Sequence, residues 1–411
     1  MVARLRDRKF VRALVAAAML GAATFSAPPA SAAVTVTVDA LTVDNAAPVA
    51  ARPMTATAKV RASGTLPVQA LTIAVRDAAG EVVDFPGAIA TTLTTAVKTF
   101  TTDARAYPAG TYTYFVAYQA GDVWTELTPR KTFTVAANAV TFEQDFFGAA
   151  GAGPNAGLAT PAWFNDPCWR QACTGSIAEY KLDHAQLDGQ GHLVLTADQN
   201  VTPGAMCGWK PGTDPQEEPD QPCRYATARL TMLDWENKDG LPTWTQAGGH
   251  LEARMKAPLG KGLWPAFWTV GGNNAQVDWP ASGEIDVMEV LGDHPTLVEQ
   301  HAHGGLADIN YGGSQDLPDG EGIDAWHTYA VDWDAGANGY IKWSIDGVVT
   351  RTLTAAEAGT AWAQSFRHPH TLILNLAVGG GDGWVGDPDA DTVFPARLLV
   401  DHVRAYQKPL A

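Results

Sequence analysis

From Val34 onward the chain alternates apolar and polar residues in short runs, such as Val34-Thr35-Val36-Thr37-Val38, Leu71-Thr72-Ile73-Ala74-Val75 and Thr111-Tyr112-Thr113-Tyr114-Phe115-Val116. A period of two assigns alternate side chains to opposite faces of an extended strand. Turn residues separate the runs and no helical run competes, so residues 34–136 read as a small Ig- or fibronectin-like β-sandwich. Ala136-Ala137-Asn138-Ala139 reads as a brief linker. Strand-like runs then resume, among them His192-Leu193-Val194-Leu195-Thr196, His250-Leu251-Glu252-Ala253-Arg254-Met255, Tyr340-Ile341-Lys342-Trp343-Ser344-Ile345 and Leu398-Leu399-Val400-Asp401-His402-Val403-Arg404-Ala405-Tyr406. Residues 140–408 therefore predict a second, larger all-β sandwich with long surface loops.

Composition separates the two units further. Thirteen of the 14 tryptophans lie beyond Val140, Trp124 being the exception. Ahead of both units, residues 1–32 carry Arg4, Arg6, Arg8, Lys9 and Arg12, an apolar stretch from Ala13 to Ala23, and the small-residue pattern Ala30-Ser31-Ala32. That order is a secretory signal peptide, its apolar run being well short of the ~20 residues of a spanning helix. The expectation is a secreted, extracellular protein with no membrane association after cleavage. Removing the segment's net +4 takes the net charge of −16 to −20, a charge that repels nucleic acid and anionic membranes. Four cysteines in an exported chain predict two disulfides, with Cys168–Cys173 and Cys207–Cys223 favoured as the local pairings. Their spacing lacks the short Cys-x-x-Cys knuckles of structural zinc sites.

Candidate chemistry concentrates in Trp279-Pro280-Ala281-Ser282-Gly283-Glu284-Ile285-Asp286-Val287-Met288-Glu289-Val290-Leu291. In a strand Glu284 and Asp286 share a face, whereas Glu289, five residues from Glu284, falls on the wrong one. A β-bulge at Val287 or Met288 would restore it, and bulges re-aim side chains beside active sites. The two glutamates would then stand ~13 Å apart along the backbone at ~3.3 Å per step. Side chains leaning together could close that gap to the ~5–5.5 Å carboxylate separation of retaining glycosidases. Asp286, between them, can hydrogen-bond one partner, and its charge would help keep the acid protonated. The flanking apolar residues and Trp279 argue against a merely solvated charged strand and against a calcium-binding acidic cluster.

The run Gly283-Glu284-Ile285-Asp286-Val287-Met288-Glu289 resembles the active-site signature of glycoside hydrolase family 16, in the bulged form of laminarinase-like endo-β-1,3-glucanases. Four further segments resemble that family in the same order: Gly262-Leu263-Trp264-Pro265-Ala266-Phe267-Trp268, Trp326-His327-Thr328-Tyr329-Ala330-Val331-Asp332-Trp333, Leu372-Ile373-Leu374-Asn375-Leu376-Ala377-Val378-Gly379-Gly380 and Leu399-Val400-Asp401-His402-Val403-Arg404-Ala405-Tyr406. The resemblance implies a concanavalin-like β-jelly-roll with Glu284 as nucleophile, Asp286 as its assistant and Glu289 as acid/base. It implies sugar-binding or cleft-wall roles for Trp264, Trp268 and Trp279, Trp268 being as readily a core residue. The His301-x-His303 spacing invites a metal reading, but His303-Gly304 resembles a cleft segment of the family, which implies substrate contact by His303. Asn375 and Trp384 are further cleft candidates, and Asp401 resembles a structural calcium ligand. No cofactor is expected for catalysis.

The expected partner is a β-glucan of the laminarin or curdlan type, cleaved by a monomer. The inserts Pro211–Pro222 and Gly304–Tyr311 depart from the family pattern, which keeps galactan, agar and mixed-linkage glucan open as substrates. A non-catalytic β-glucan-binding protein on the same fold is the competing class, and the presence of both glutamates weighs against it. In the first unit, Tyr107, Tyr112, Tyr114 and Trp124 suggest a carbohydrate-binding face, with a spacer as the alternative.

Overall fold

A computed structural model describes residues 34–45, 48–50, 53–166, 176–207, 221–235, 240–306, 309–379 and 384–410. The leader at 1–32, Cys168, Cys173 and most of the 211–222 insert lie outside these residues. Among the described residues no helix is long and apolar enough to cross a membrane.

The first unit pairs a three-stranded sheet (Val36–Val43, Ala56–Ala62 and Lys98–Thr101) with a five-stranded sheet built around Leu66–Arg76 and Gly110–Ala120. Their core includes Leu71, Ile73, Val75, Val116 and Phe133. Tyr107, Tyr112 and Tyr114 also lie in it, Tyr112 stacked on Phe133 and the other two edge-on to it, so they offer no carbohydrate-binding face. The strand Gly110–Ala120 is apolar on both sides: its even-numbered tyrosines fill the core while Phe115 is buried on the opposite face beneath the guanidinium groups of Arg76 and Arg130. Alternation alone could not tell which side was inward. Trp124 stays 52% exposed.

The second unit is a sandwich of two antiparallel sheets with a core of its own. One sheet runs Phe164–Asn165, Arg229–Thr231, His370–Val378, Leu263–Gly271, Glu284–Glu289, Leu297–His303 and Tyr311–Asp316 in spatial order. The other runs Ala185–Leu187, Leu193–Ala197, Ala396–Tyr406, Gly249–Lys256, His327–Asp334, Tyr340–Ile345 and Val348–Thr354, with Val140–Gln144 also paired to Ala396–Tyr406. Phe267, Ile285, Met288, Leu374 and Leu376 from the first sheet meet Leu251, Tyr329, Val331, Trp333 and Trp343 from the second. Burying each such side chain contributes ~1.5–3 kcal/mol. Cys207 and Cys223 form the expected disulfide, their Cα atoms 5.2 Å apart.

At the junction, Asn138 bonds Lys408 in both directions, Nδ2 donating to the backbone oxygen and Oδ1 accepting from the backbone nitrogen, each at 2.9 Å. The brief linker is thereby fastened to the last strand's extension.

Candidate active site

Strand Glu284–Glu289 lies between Leu263–Gly271 and Leu297–His303, and its register carries the predicted bulge. Toward Leu263–Gly271, Glu284 faces Val270, Asp286 faces Trp268, Met288 faces Phe267 and Glu289 faces Ala266, which leaves Val287 as the extra residue. Toward Leu297–His303, Asp286 faces His301 and Glu289 faces Glu299, so three steps on one strand match two on the other. Ile285, Val287 and Met288 are all fully buried in the core. Two consecutive core residues can occur only because the bulge absorbs one, and the shift returns Glu289 to the face of Glu284 and Asp286. From the opposite sheet, Trp343 Nε1 donates to the backbone oxygen of Asp286 at 2.8 Å and anchors the strand where it bulges. Gly283, just before the strand, has φ +83°, and a Cβ there would meet the backbone oxygen of Ser365 at 2.3 Å. Glycine is what that turn into the strand admits.

The three carboxylates sit in distinct settings. Glu289 accepts from Trp264 Nε1 at 3.0 Å. Burial, and next the negative charge of Glu284, push its carboxyl up from 4.5 to about 7; His301 and the Trp264 hydrogen bond pull the other way, and Glu299 adds to the rise. Asp286 is 2% exposed, and its Oδ2 lies 3.7 Å from His303 Nε2. Glu284, Asp286 and His303 each present an atom within 4.8 Å of the others'. The trio is a carboxylate pair with an imidazole beside it, at the opposite end of the strand from Glu289. Glu289 thus keeps its proton to a higher pH than an ordinary carboxyl, as a general acid requires.

Around them the strand order gathers the expected aromatics. Asn375, on the strand beside Leu263–Gly271, accepts from Trp268 Nε1 at 2.7 Å and donates to the Trp264 backbone oxygen at 3.3 Å. Asn375 is thus a brace for the two tryptophans. Trp268 joins the site-face cluster of Leu233, Val270 and Ile373, beneath the guanidinium of Arg229 at 4.9 Å. Arg229 is held in turn by Asp166, Nε to Oδ2 at 2.9 Å. Trp384, 45% exposed, meets the Trp264 ring edge-on at 5.3 Å. Trp279, 42% exposed, lies 5.7 Å from the His303 ring. The exposed rings therefore stand at both ends of the carboxylate row.

Asp401 is elsewhere, on strand Ala396–Tyr406 of the opposite sheet. Its Oδ2 accepts from Arg254 Nη1 at 3.3 Å and faces His402 Nδ1 at 3.1 Å, with His192 Nε2 4.0 Å from Oδ1. Burial acts to raise this carboxyl, yet the hydrogen bonds from His402 and Arg254 hold it below its ordinary value. A cation site needs several oxygens, and the side chains nearest Asp401 are an arginine and two histidines.

Three contributors escaped the sequence reading, Glu299, Arg229 and Trp343, and a fourth, His301, entered it only through a metal-like spacing. A signal existed for His301, since His-x-His in a strand places both rings on one face. His301 and His303 do stack, 5.8 Å apart and 14° from parallel. The other three depend on strand neighbours that a single sequence does not display.

The glycosyl hydrolases family 16 model matches residues 219–394, which contain the whole carboxylate strand. Among characterised relatives, glucan endo-1,3-beta-glucosidase A1 of Niallia circulans is 34% identical over 204 residues, covering 47% of this chain and 29% of its own. The beta-glucanase of Rhodothermus marinus is 34% identical over 205 residues, covering 47% of this chain and 66% of its own. The chain thus spans less than two thirds of either. The solved endo-beta-1,3-glucanase of Pyrococcus furiosus superposes with a TM-score of 0.51 at 28% identity, over 66% of this chain and 94% of that one. The matching fold, the ordered motif segments and the bulged carboxylate strand agree: residues 219–394 match glycosyl hydrolases family 16, and the larger sandwich is similar to the jelly-roll of solved endo-beta-1,3-glucanases.

Proposed function

We propose that the protein is a secreted endo-acting glycosidase that hydrolyses β-1,3-glucan with retention of anomeric configuration. The observation that carries this reading is the bulge at Val287, which puts Glu284, Asp286 and Glu289 on one face with Glu289 able to hold a proton near neutral pH. In the first step a Glu284 carboxylate oxygen attacks the anomeric carbon while Glu289 gives its proton to the departing glycosidic oxygen. The bond to the leaving sugar breaks and a glycosyl ester forms. Glu289, now a carboxylate, takes a proton from water, whose oxygen displaces Glu284 from the same carbon. Two inversions give net retention. Asp286 and His303 orient Glu284, and Trp279 and the Trp264–Trp384 pair offer ring faces to the apolar faces of sugars. None of these steps calls on a metal or cofactor.

The choice of β-1,3-glucan follows from the relatives, whose names specify that linkage. The decisive measurement is release of reducing ends from laminarin, curdlan, lichenan, agarose and β-1,3-galactan, with the product anomer followed by NMR. Preference for laminarin and curdlan with initial β product is expected; an α product would remove the retaining mechanism, and a preference for agarose or galactan would reassign the polymer. Glu284→Ala should be inactive and should regain turnover with added azide, giving an α-glycosyl azide, because a carboxylate nucleophile has no neutral substitute. Unrescued residual activity in that variant would take Glu284 out of the role. No hydrolysis of any of these polymers by the wild type, with laminarin still bound, would favour the glucan-binding class.

The proposal extends to the ends of the chain. Residues 1–32 are read as a leader removed on export, checked by N-terminal sequencing of the secreted product. Residues 34–136 are read as an Ig-like accessory domain, with Trp124 as the aromatic that remains for carbohydrate contact. The protein is expected to sediment as a monomer.

A further inference from the structure

We infer that Glu284, Asp286 and His303 form a binding site for a divalent transition-metal cation of the zinc type, and that this ion and the polysaccharide exclude one another. The exclusion rests on the nucleophile role proposed for Glu284. Each of the three side chains presents a donor atom within 4.8 Å of the other two, and Asp286 Oδ2 lies 3.7 Å from His303 Nε2. Among the described residues no other three histidine, cysteine or carboxylate side chains converge so closely. The backbone dictates this: Glu284 and Asp286 alternate onto one face of their strand, and His303 stands directly across from Glu284 on the next. Zinc bonds of ~2.0–2.2 Å to nitrogen and oxygen place tetrahedral ligands ~3.3–3.6 Å apart, so the donors need close by at most ~1.5 Å.

The donor set selects the ion. Calcium takes ~6–8 oxygen ligands, whereas one imidazole with two carboxylates suits zinc and its neighbours in the first transition row. Asp286 is buried while Glu284 and His303 are partly exposed, which gives the ion its way in. The ligands are also held in place by the fold. Ser365 Oγ accepts from the Gly305 backbone nitrogen at 2.8 Å and donates to the Ala281 backbone oxygen at 3.0 Å, tying the end of the histidine strand to the turn before Glu284. A Cβ at Gly304 would meet Ser365 Cβ at 2.7 Å, so the chain leaving His303 has little room to shift. The His303 ring is stacked on His301 and flanked by Trp279. His301, the other half of the His-x-His spacing, turns its nitrogens to Asn310 and Glu299 instead. On the opposite sheet, Glu252 faces His250 with one oxygen at 3.2 Å and His402 with the other at 3.7 Å, which strings those three out rather than converging them. An ion held by the trio occupies the Glu284 lone pair that attacks the anomeric carbon and fills the space that carbon must enter.

Cobalt reports the site through its visible absorption. The full-length protein, stripped with a chelator, should bind a cobalt ion with the intense absorption of tetrahedral coordination, and zinc should displace it. His303→Phe keeps a flat ring against His301 and Trp279 but offers no donor, and it should weaken cobalt binding at least ~10-fold, the smallest loss typical of damage even to a ligand's outer partners. Glu284→Gln should do the same and decides the matter if His303→Phe fails to fold. Glu289→Gln and His402→Gln leave the trio intact and should bind cobalt as the wild type does. With turnover blocked in Glu289→Gln, added laminarihexaose should expel the cobalt and bleach its absorption. In the wild type, zinc should raise KM for laminarin without lowering kcat, and a chelator should reverse the effect. The inference is overturned by a wild type that takes up no cobalt, by unchanged affinity in folded His303→Phe or Glu284→Gln, by loss of the ion in His402→Gln, or by laminarihexaose binding with the cobalt retained. If the wild type does not hydrolyse laminarin at all, the nucleophile reading fails, while the cobalt titrations still decide whether the trio holds a metal.

Discussion

Glu289 has an ordinary value of 4.5 and a folded-state value of about 7, and the gap has consequences in both rate and stability. Rate on polysaccharide should fall as pH rises through about 7, because the leaving oxygen then loses its proton donor. For stability, a raised carboxyl binds its proton more tightly in the folded protein than in the unfolded chain. Its favourable contribution is fully present below 4.5 and is lost as pH rises through about 7. Glu289→Gln, which can never ionise, should therefore raise the melting temperature relative to wild type more at pH 8 than at pH 5. Calorimetry at the two pH values checks it; an equal gain at both would mean that Glu289 is not forced to ionise in a buried setting. Glu289→Ala should spare aryl glucosides with good leaving groups more than laminarin, a difference visible in the glycosylation rate. Trp264→Phe removes a hydrogen bond that lowers the Glu289 carboxyl, so its alkaline limb should move upward. A downward move would show that the ring shields Glu289 chiefly in some other way.

Among the strands, Glu284–Glu289 was the most legible because its defect is written in its own letters. Three acids that need one face at spacings of two and three cannot sit on a regular strand, so parity alone required the extra residue at Val287 or Met288. Deleting Val287 should then give a regular strand that still holds Glu289 on the face of Glu284 and Asp286, so hydrolysis should survive; a loss of ~10³-fold or more, the scale that follows removal of general acid catalysis, would mean that the bulge does more than set parity. Circular dichroism would separate loss of fold from loss of the site. Trp343→Phe should cost ~1–3 kcal/mol by leaving the Asp286 carbonyl without its donor, measurable by denaturant unfolding. That partnership could not be read in advance, since Trp343 and Asp286 belong to different sheets and nothing local links them. Tyr112 and Tyr114 failed for another reason: their strand is apolar on both sides, and alternation gives a period but not a direction. The surroundings of Asp401 were likewise hidden, because a motif fixes a position in the chain, while its neighbours Arg254, His402 and His192 come from three separate stretches of sequence.

On the scale of the molecule, the sequence changes from few tryptophans to many near residue 138, and the described residues on either side fall into separate hydrophobic cores. A chain beginning at Ala137, which retains the Asn138 bonds to Lys408, should hydrolyse soluble laminarin at the full-length rate. On particulate curdlan its rate should drop if residues 34–136 tether the enzyme through Trp124. Equal rates on curdlan would leave those residues a spacer.

The pairing of Val140–Gln144 with Ala396–Tyr406 means that the larger sandwich starts and finishes on adjacent strands of one sheet. Such a unit is a cassette: its two ends leave from the same place, so it can sit inside or at the edge of a longer polypeptide without its strands being rerouted. Its presence in relatives of which it makes up 29% to 66% fits that portability. The same closure makes the linear order of the strands dispensable. Residue 408 joined to residue 140 by a short flexible bridge, with new ends opened at the exposed turn by Gly204, should give a permuted protein that refolds around the unchanged carboxylate row and keeps its stereochemical outcome.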